Sequence, residues 1–150
     1  MIPFLDLNRS HDSLQSEFEA GFQRVLRHGR FIMGPEVAEL ETTLADRVGV
    51  KHALGVSSGT DALLAVLMAL DVGPGDEVIV PPLTFYATAG AVVRLGATPV
   101  FADVEPDTLL LDPIDVMKRV TEQTKAIIPV HLFGQCAAIK PYLEAGITVV

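Results

Sequence analysis

The stretch Glu77-Val78-Ile79-Val80-Pro81 decides the fold, because no polar residue interrupts Val78, Ile79 and Val80. A strand with one wet face alternates apolar and polar side chains, whereas a strand that is apolar throughout has to be covered on both faces. Working outward, further short apolar strands are expected at 53–56, 97–102 and 125–130, with another opening at Ile147. Between them the spacing predicts helices near 60–70, 85–95, 113–120 and 137–144. Strands alternating with helices in this way define an α/β class, a mostly parallel sheet with helices on both faces.

Upstream, Leu14, Phe18, Phe22, Val25 and Leu26 recur at three- and four-residue steps, which marks one face of a helix over 10–28 with Ser10 as its expected N-cap. After the break at Gly29 to Gly34, Pro35 suits the first turn of a second helix carrying Val37, Leu40, Leu44 and Val48, closed by Gly49. No repeat, low-complexity stretch or flexible linker interrupts the chain. Residues 1–33 therefore read as an N-terminal arm and helix outside the sheet, and 34–150 as one larger unit.

The 150 residues are 49% hydrophobic, enough to bury a real core. Eleven basic residues against 19 acidic ones give a net charge of −8, which argues against nucleic acid or anionic lipid as a partner. Any phosphate has to be held by local geometry. A single cysteine, Cys136, excludes an internal disulfide framework and fits a reducing compartment, so the cytoplasm is expected. Met1 to Asp6 lack a basic segment followed by a long apolar run, and no apolar run approaches the ~20 residues that span a bilayer, so no signal peptide or membrane segment is expected. Ala145 to Val150 read as the opening of a buried strand with nothing after it, which leads us to expect a truncated chain.

In parallel α/β sheets ligands bind beyond the carboxyl ends of the strands. That rule directs attention first to Gly55-Val56-Ser57-Ser58-Gly59-Thr60-Asp61-Ala62-Leu63, where a strand runs into a helix through small hydroxyl-bearing residues. Amide groups at a helix start attract a phosphate dianion, Gly59 lets it approach, and Ser58 and Thr60 carry hydroxyls that bond it. The same hydroxyls equally suit a plain helix cap. The stretch is neither a Walker A loop nor a GxGxxG fingerprint, which weighs against a nucleoside triphosphatase or a Rossmann dehydrogenase.

At the end of the next strand, Phe85 and Tyr86 stand side by side on the same edge. Either ring can stack on a planar ligand, or both can be core. Adjacent helical residues point about 100° apart, so only one faces a bound ring. His131 and Gln135, after the strand at 125–130, are candidates for bonding a cofactor or substrate oxygen, although a histidine closing a strand is often structural. The run Asp103 to Thr108 reads as a turn. His11, His28 and His52 show no metal-ligand spacing, and no metal is expected.

Taken in order, seven blocks carry a resemblance: Ile2 to Leu7, Gly34 to Val37, Gly55 to Leu63, Gly73 to Val78, Thr84 to Thr88, Gly96 to Asp103, and Pro129 to Gln135. Together they resemble the sugar-nucleotide aminotransferases of the DegT/DnrJ/StrS type, within the fold-type I pyridoxal-phosphate enzymes. The match covers nearly the whole chain, and ordered blocks are far more specific than any single motif. The resemblance implies the first part of the large, cofactor-binding domain of an enzyme that moves an amino group, with glutamate as the expected donor, onto a nucleotide-linked keto sugar. It implies that the amides of Gly59 and Thr60, with the Thr60 hydroxyl, hold the phosphate of pyridoxal 5'-phosphate. It further implies that Phe85 stacks on the pyridine ring, with Tyr86 as a secondary candidate. Gly29, Arg30, Phe31 and Ile32 are expected near the sugar-nucleotide site, which a second subunit completes, so a homodimer is implied.

The sequence departs from the family pattern at Gly90, where asparagine is common. None of Lys51, Lys118, Lys125 or Lys140 stands in the context of the family's Schiff-base lysine. That lysine, and the aspartate that pairs with the pyridine nitrogen, are expected after Val150, so this chain alone is expected to bind at most. Two related readings stay open: a sugar dehydratase of the same fold, in which histidine replaces the lysine, and a non-catalytic fragment that binds a phosphate-bearing ligand.

Overall fold

The computed structural model describes residues 3–150. Met1 and Ile2, which open the N-terminal arm and the first resembling block, lie outside the described residues. The chain forms two units, one reaching to Gly55 and one spanning Val56–Val150. The arm boundary drawn after residue 33 falls inside the first of them.

The first unit is helical. It contains α1 (Asn8–His11), a 3-10 turn (Asp12–Leu14), α2 (Gln15–His28) and α3 (Pro35–Val48). The single helix expected over 10–28 is thus three segments. Ser10 is not its N-cap: the Asn8 amide donates to Asp6 Oδ1 at 3.2 Å, and the Ser10 hydroxyl lies inside the turn, donating to the Leu7 carbonyl. Pro35 does open α3, and Gly49 closes it in a left-handed conformation with its amide on the Ala45 carbonyl. The strand expected at 53–56 does not form: no strand lies beside it among the described residues, the Gly55 amide donates to Glu41 Oε1 at 2.7 Å, and Leu54 stands 84% exposed.

The second unit is the α/β sheet. Its elements are α4 (Gly59–Ala69), β1 (Glu77–Val80), α5 (Ala87–Arg94), β2 (Thr98–Phe101), α6 (Pro113–Arg119), β3 (Thr124–Ile127), a 3-10 turn (Leu132–Gly134) and α7 (Lys140–Glu144). The strand order is β2-β1-β3 and both pairings are parallel, so all three carboxyl ends lie at one edge. Beyond β3, Val149 adds a parallel bridge to Ile127 where the last strand was expected to open. Most ends move inward from the expected limits, by three residues at the end of β3 and at the start of α7, while α4 and β3 each begin one residue earlier than expected.

The alternation of β1 side chains explains why the strand is apolar on both sides. Val78 and Val80 join Leu67, Ala91, Val92, Ala126 and Ile128 in one core under α4 and α5. Ile79 points the other way, into a second core with Leu111, Val116, Ile127 and Tyr142. Each side chain of this size contributes about 1.5–3 kcal/mol when fully buried. Helices on both faces and a central strand without a polar residue are one and the same physical requirement.

Tyr142 is fully buried in the second core, its hydroxyl reaching the Leu111 carbonyl at 3.4 Å. Burial, reinforced by the charges of Asp112 and Glu105, pushes its phenol up to about 12 from the ordinary value of 10.0. The folded state therefore prefers the neutral phenol, and the stability it supplies is complete below 10 and lost as pH climbs through about 12. In a Tyr86→Phe background, where Tyr142 is the remaining tyrosine, ultraviolet titration should give a phenolate midpoint near 12 with unfolding following it.

Candidate functional site

A cavity of about 480 Å³ opens at the carboxyl ends of β1 and β3. That volume lies within the roughly 300–1,000 Å³ of small-molecule sites. Four segments build its wall: Gly59, Thr60 and Leu63 from the first turns of α4; Thr84, Phe85, Ala87 and Thr88 from the passage between β1 and α5; Ile128 to Val130 from the chain leaving β3; and Val150 beside them. No lining side chain is ionisable. Its polar groups are hydroxyls and backbone amides.

At the start of α4, Ser58 is extended and caps the helix, its Oγ accepting from the Asp61 amide at 3.1 Å. The Ser57 and Ser58 hydroxyls both donate to Asp61 Oδ2. These bonds, Ser57 first, hold the Asp61 carboxyl below the usual range. The cap thus occupies Ser58, and the amides of Gly59 and Thr60 find no acceptor among the described residues. The two residues that carry these N–H groups, at the positive end of an 11-residue helix, both line the cavity.

Phe85 stands at the cavity wall with 76% of its surface exposed, a large aromatic face with no cover. Tyr86 does not line the cavity; its ring lies back along α5 over Gly90. A Cβ added at Gly90 would meet Tyr86 Cε1 at 2.8 Å, so glycine at this buried position is what admits the ring. His131 and Gln135 are exposed and lie outside the lining, with His131 Nδ1 accepting from the Ala137 amide at 3.0 Å. That bond fixes the proton on Nε2 in the neutral ring.

The sequence reading missed Thr84 and Thr88, whose hydroxyls bond each other at 3.0 Å in the cavity wall. Their four-residue spacing at the entry to α5 was the available signal, since residues four apart share a helix face.

Gly29 to Ile32 belong to the first unit and form the turn after α2, with Phe31 and Ile32 exposed. The Arg30 amide donates to His28 Nδ1, and the Arg30 carbonyl sits 2.6 Å from where a Gly34 Cβ would be, so the turn closes against a residue that must be glycine. Glu36 clamps the base of this turn, bonded to His28 Nε2 and Arg24 Nε, each at 3.1 Å. The His28 bond is the largest cause lowering Glu36 to about 2.

Residues 12–145 match the model of the DegT/DnrJ/EryC1/StrS aminotransferase family, and the chain belongs to that family. It is 55% identical over 137 residues to a UDP-2-acetamido-2-deoxy-3-oxo-D-glucuronate aminotransferase from Pseudomonas aeruginosa, an alignment covering 91% of this chain and 38% of that relative. The crystal structure of DesV from S. venezuelae superposes with a TM-score of 0.93 at 41% identity, over 99% of this chain and 41% of that one. NtdA from Bacillus subtilis, solved with bound cofactor PMP, gives a TM-score of 0.90 at 33% identity, covering 99% of this chain and 35% of that one. The chain therefore spans well under half the length of these proteins. Among the described residues no helix is long and apolar enough to cross a membrane.

The local geometry makes two outcomes expected. Gly90→Ala should be about 1 kcal/mol more favourable in a Tyr86→Ala background than in the wild type, since the helix gain of alanine is then free of the ring; chemical denaturation of the four variants measures this coupling. Glu36 has a depressed folded value, so its contribution is present above the ordinary value of 4.5 and lost as pH falls toward about 2. Glu36→Gln should lower the melting temperature at neutral pH, with the gap closing on acidification.

Proposed function

We propose that the protein acts as a pyridoxal-phosphate-dependent aminotransferase that moves an amino group, with glutamate as donor, onto a nucleotide-linked keto sugar. One observation carries the cofactor assignment: two free helix-terminal amides and an uncovered aromatic ring line the same cavity at the carboxyl edge of a parallel sheet. The fit to pyridoxal 5'-phosphate is physical. A phosphate dianion matches the Gly59 and Thr60 amides, the Thr60 hydroxyl and the α4 dipole, and the uncharged remainder of the wall suits a flat ring against Phe85. Bound there, the cofactor supplies an electron sink for chemistry at the amino-bearing carbon.

In this reading the residues of the chain bind and orient. Thr60 and Gly59 fix the phosphate end, Phe85 covers one ring face and excludes water from it, and the Thr84–Thr88 hydroxyl pair gives the wall a polar point. Ser58 serves through the helix cap, while Tyr86, His131 and Gln135 flank the edge outside the cavity lining. No lysine is among the lining residues.

The substrate class follows the relatives' names, and we extend to this chain the second-subunit arrangement, with Gly29, Arg30, Phe31 and Ile32 contributing to the sugar-nucleotide site of a homodimer. The exposed stripe of Phe18, Phe22 and Leu26 on α2 supports burial against another chain segment or subunit. The single cysteine favours the cytoplasm.

Mixing the full-length protein with pyridoxal 5'-phosphate should produce a visible-range absorbance shift that glutamate then reverses. No spectral change on mixing would sink the assignment. Phe85→Ala should weaken cofactor binding about tenfold through lost stacking while leaving stability within about 0.5 kcal/mol, because the ring is already exposed. Thr60→Val should cost a similar factor by removing one hydroxyl bond.

A further inference from the structure

The carboxylate of Asp61 poses a physical puzzle. It sits in the first turn of α4, where an acidic side chain ordinarily settles against the unsatisfied amides and uses up the helix dipole. Such an anion would compete with any phosphate at the same helix end. Here it makes no hydrogen bond to the amides of Gly59 and Thr60. Its Oδ2 instead takes two hydroxyl protons, from Ser57 and Ser58, and its own amide donates back to Ser58 Oγ. Three hydrogen bonds therefore tie Ser57, Ser58 and Asp61 together beside Gly59 and Thr60. Asp61 itself is absent from the cavity lining, whereas Gly59 and Thr60 are in it. The basic group acting on the carboxylate is Arg94, whose influence is smaller than that of either hydroxyl.

We propose that Asp61 is a positioning residue for the phosphate end of the cavity. It withdraws the Ser57 and Ser58 hydroxyls from the ligand and sets the turn so that the Gly59 and Thr60 amides converge on one point. The carboxylate's charge is engaged by two donors instead of by the dipole, which leaves the helix end available to a dianion. Glycine at 59 makes this necessary: the residue most free to change its backbone stands at the position whose amide must be aimed. The bonds gathered on Asp61 supply the rigidity that Gly59 lacks.

This inference rests on the cofactor reading above, and the test separates the two. Binding of pyridoxal 5'-phosphate and of pyridoxal, which lacks the phosphate, is measured by equilibrium dialysis for the full-length wild type, Asp61→Ala and Asp61→Asn. Failure of the wild type to prefer the phosphorylated form would remove the cofactor reading itself. Given that preference, Asp61→Ala should reduce the affinity ratio of the two ligands about tenfold, the equivalent of one well-placed hydrogen bond to a charged group. Asp61→Asn, whose carbonyl oxygen still accepts a hydroxyl, should recover most of it. A purely structural role would weaken both ligands together and leave the ratio unchanged. A ratio in Asp61→Ala within about twofold of the wild type, or one raised because a repelling charge has gone, overturns the proposal. Should Asp61→Ala melt too low to assay, Ser57→Ala removes one of the bonds with the charge retained, and an unchanged ratio there overturns it as well.

Discussion

The burial of β1 on both faces is the constraint on which the rest of the second unit depends. Val78 and Val80 commit one face to α4 and α5, and Ile79 commits the other to α6 and α7. A strand with no wet side needs cover on both faces, and the helical crossovers that join its parallel partners supply it. Parallel strands end together. The carboxyl ends of β1 and β3 therefore open onto one edge, and the cavity is the space enclosed by the segments leaving those two strands, the first turns of α4 and Val150.

This edge is suited to an anion even though the protein carries a net charge of −8. No basic side chain lines the cavity. Attraction comes from oriented backbone dipoles, which act over short distances and need no charge to be buried. Under the proposed reading long-range steering is weak at this site, and selectivity rests on shape and on two N–H groups. The aromatic wall adds contact area without adding polarity, so one end of the cavity is suited to a dianion and the rest to a flat, largely uncharged ring.

Much of this was legible from local chemistry. The apolar run of β1, the small hydroxyl-rich turn before α4 and the aromatic after β1 each advertise their place, and the Gly59, Thr60 and Phe85 positions do meet in one cavity. Other features depended on which neighbour was nearer, something a linear pattern does not encode. The apolar segment around Leu54 has no strand to join among the described residues, and the Gly55 amide donates to Glu41 instead. Asp6 supplies the acceptor that Ser10 was expected to be. The direction of Tyr86 depends on the missing side chain at Gly90, about one helical turn further along. His131 carries an ordinary local bond to the Ala137 amide, which a sequence cannot distinguish from a bond to a ligand.

The pairing of β1 with β3 shifts register at its entrance: Glu77 faces Thr124, while Val78 already faces Ala126, which leaves Lys125 as the extra residue. The irregularity lies at the amino end, with Thr121 Oγ1 bonded to Glu77 Oε2 beside it. From Val78 onward the ladder is back in phase. A length change in the loop before β3 can therefore be absorbed where the strands begin, leaving their other ends in step. The sheet has an irregular end and a regular one, and the cavity lies at the regular one.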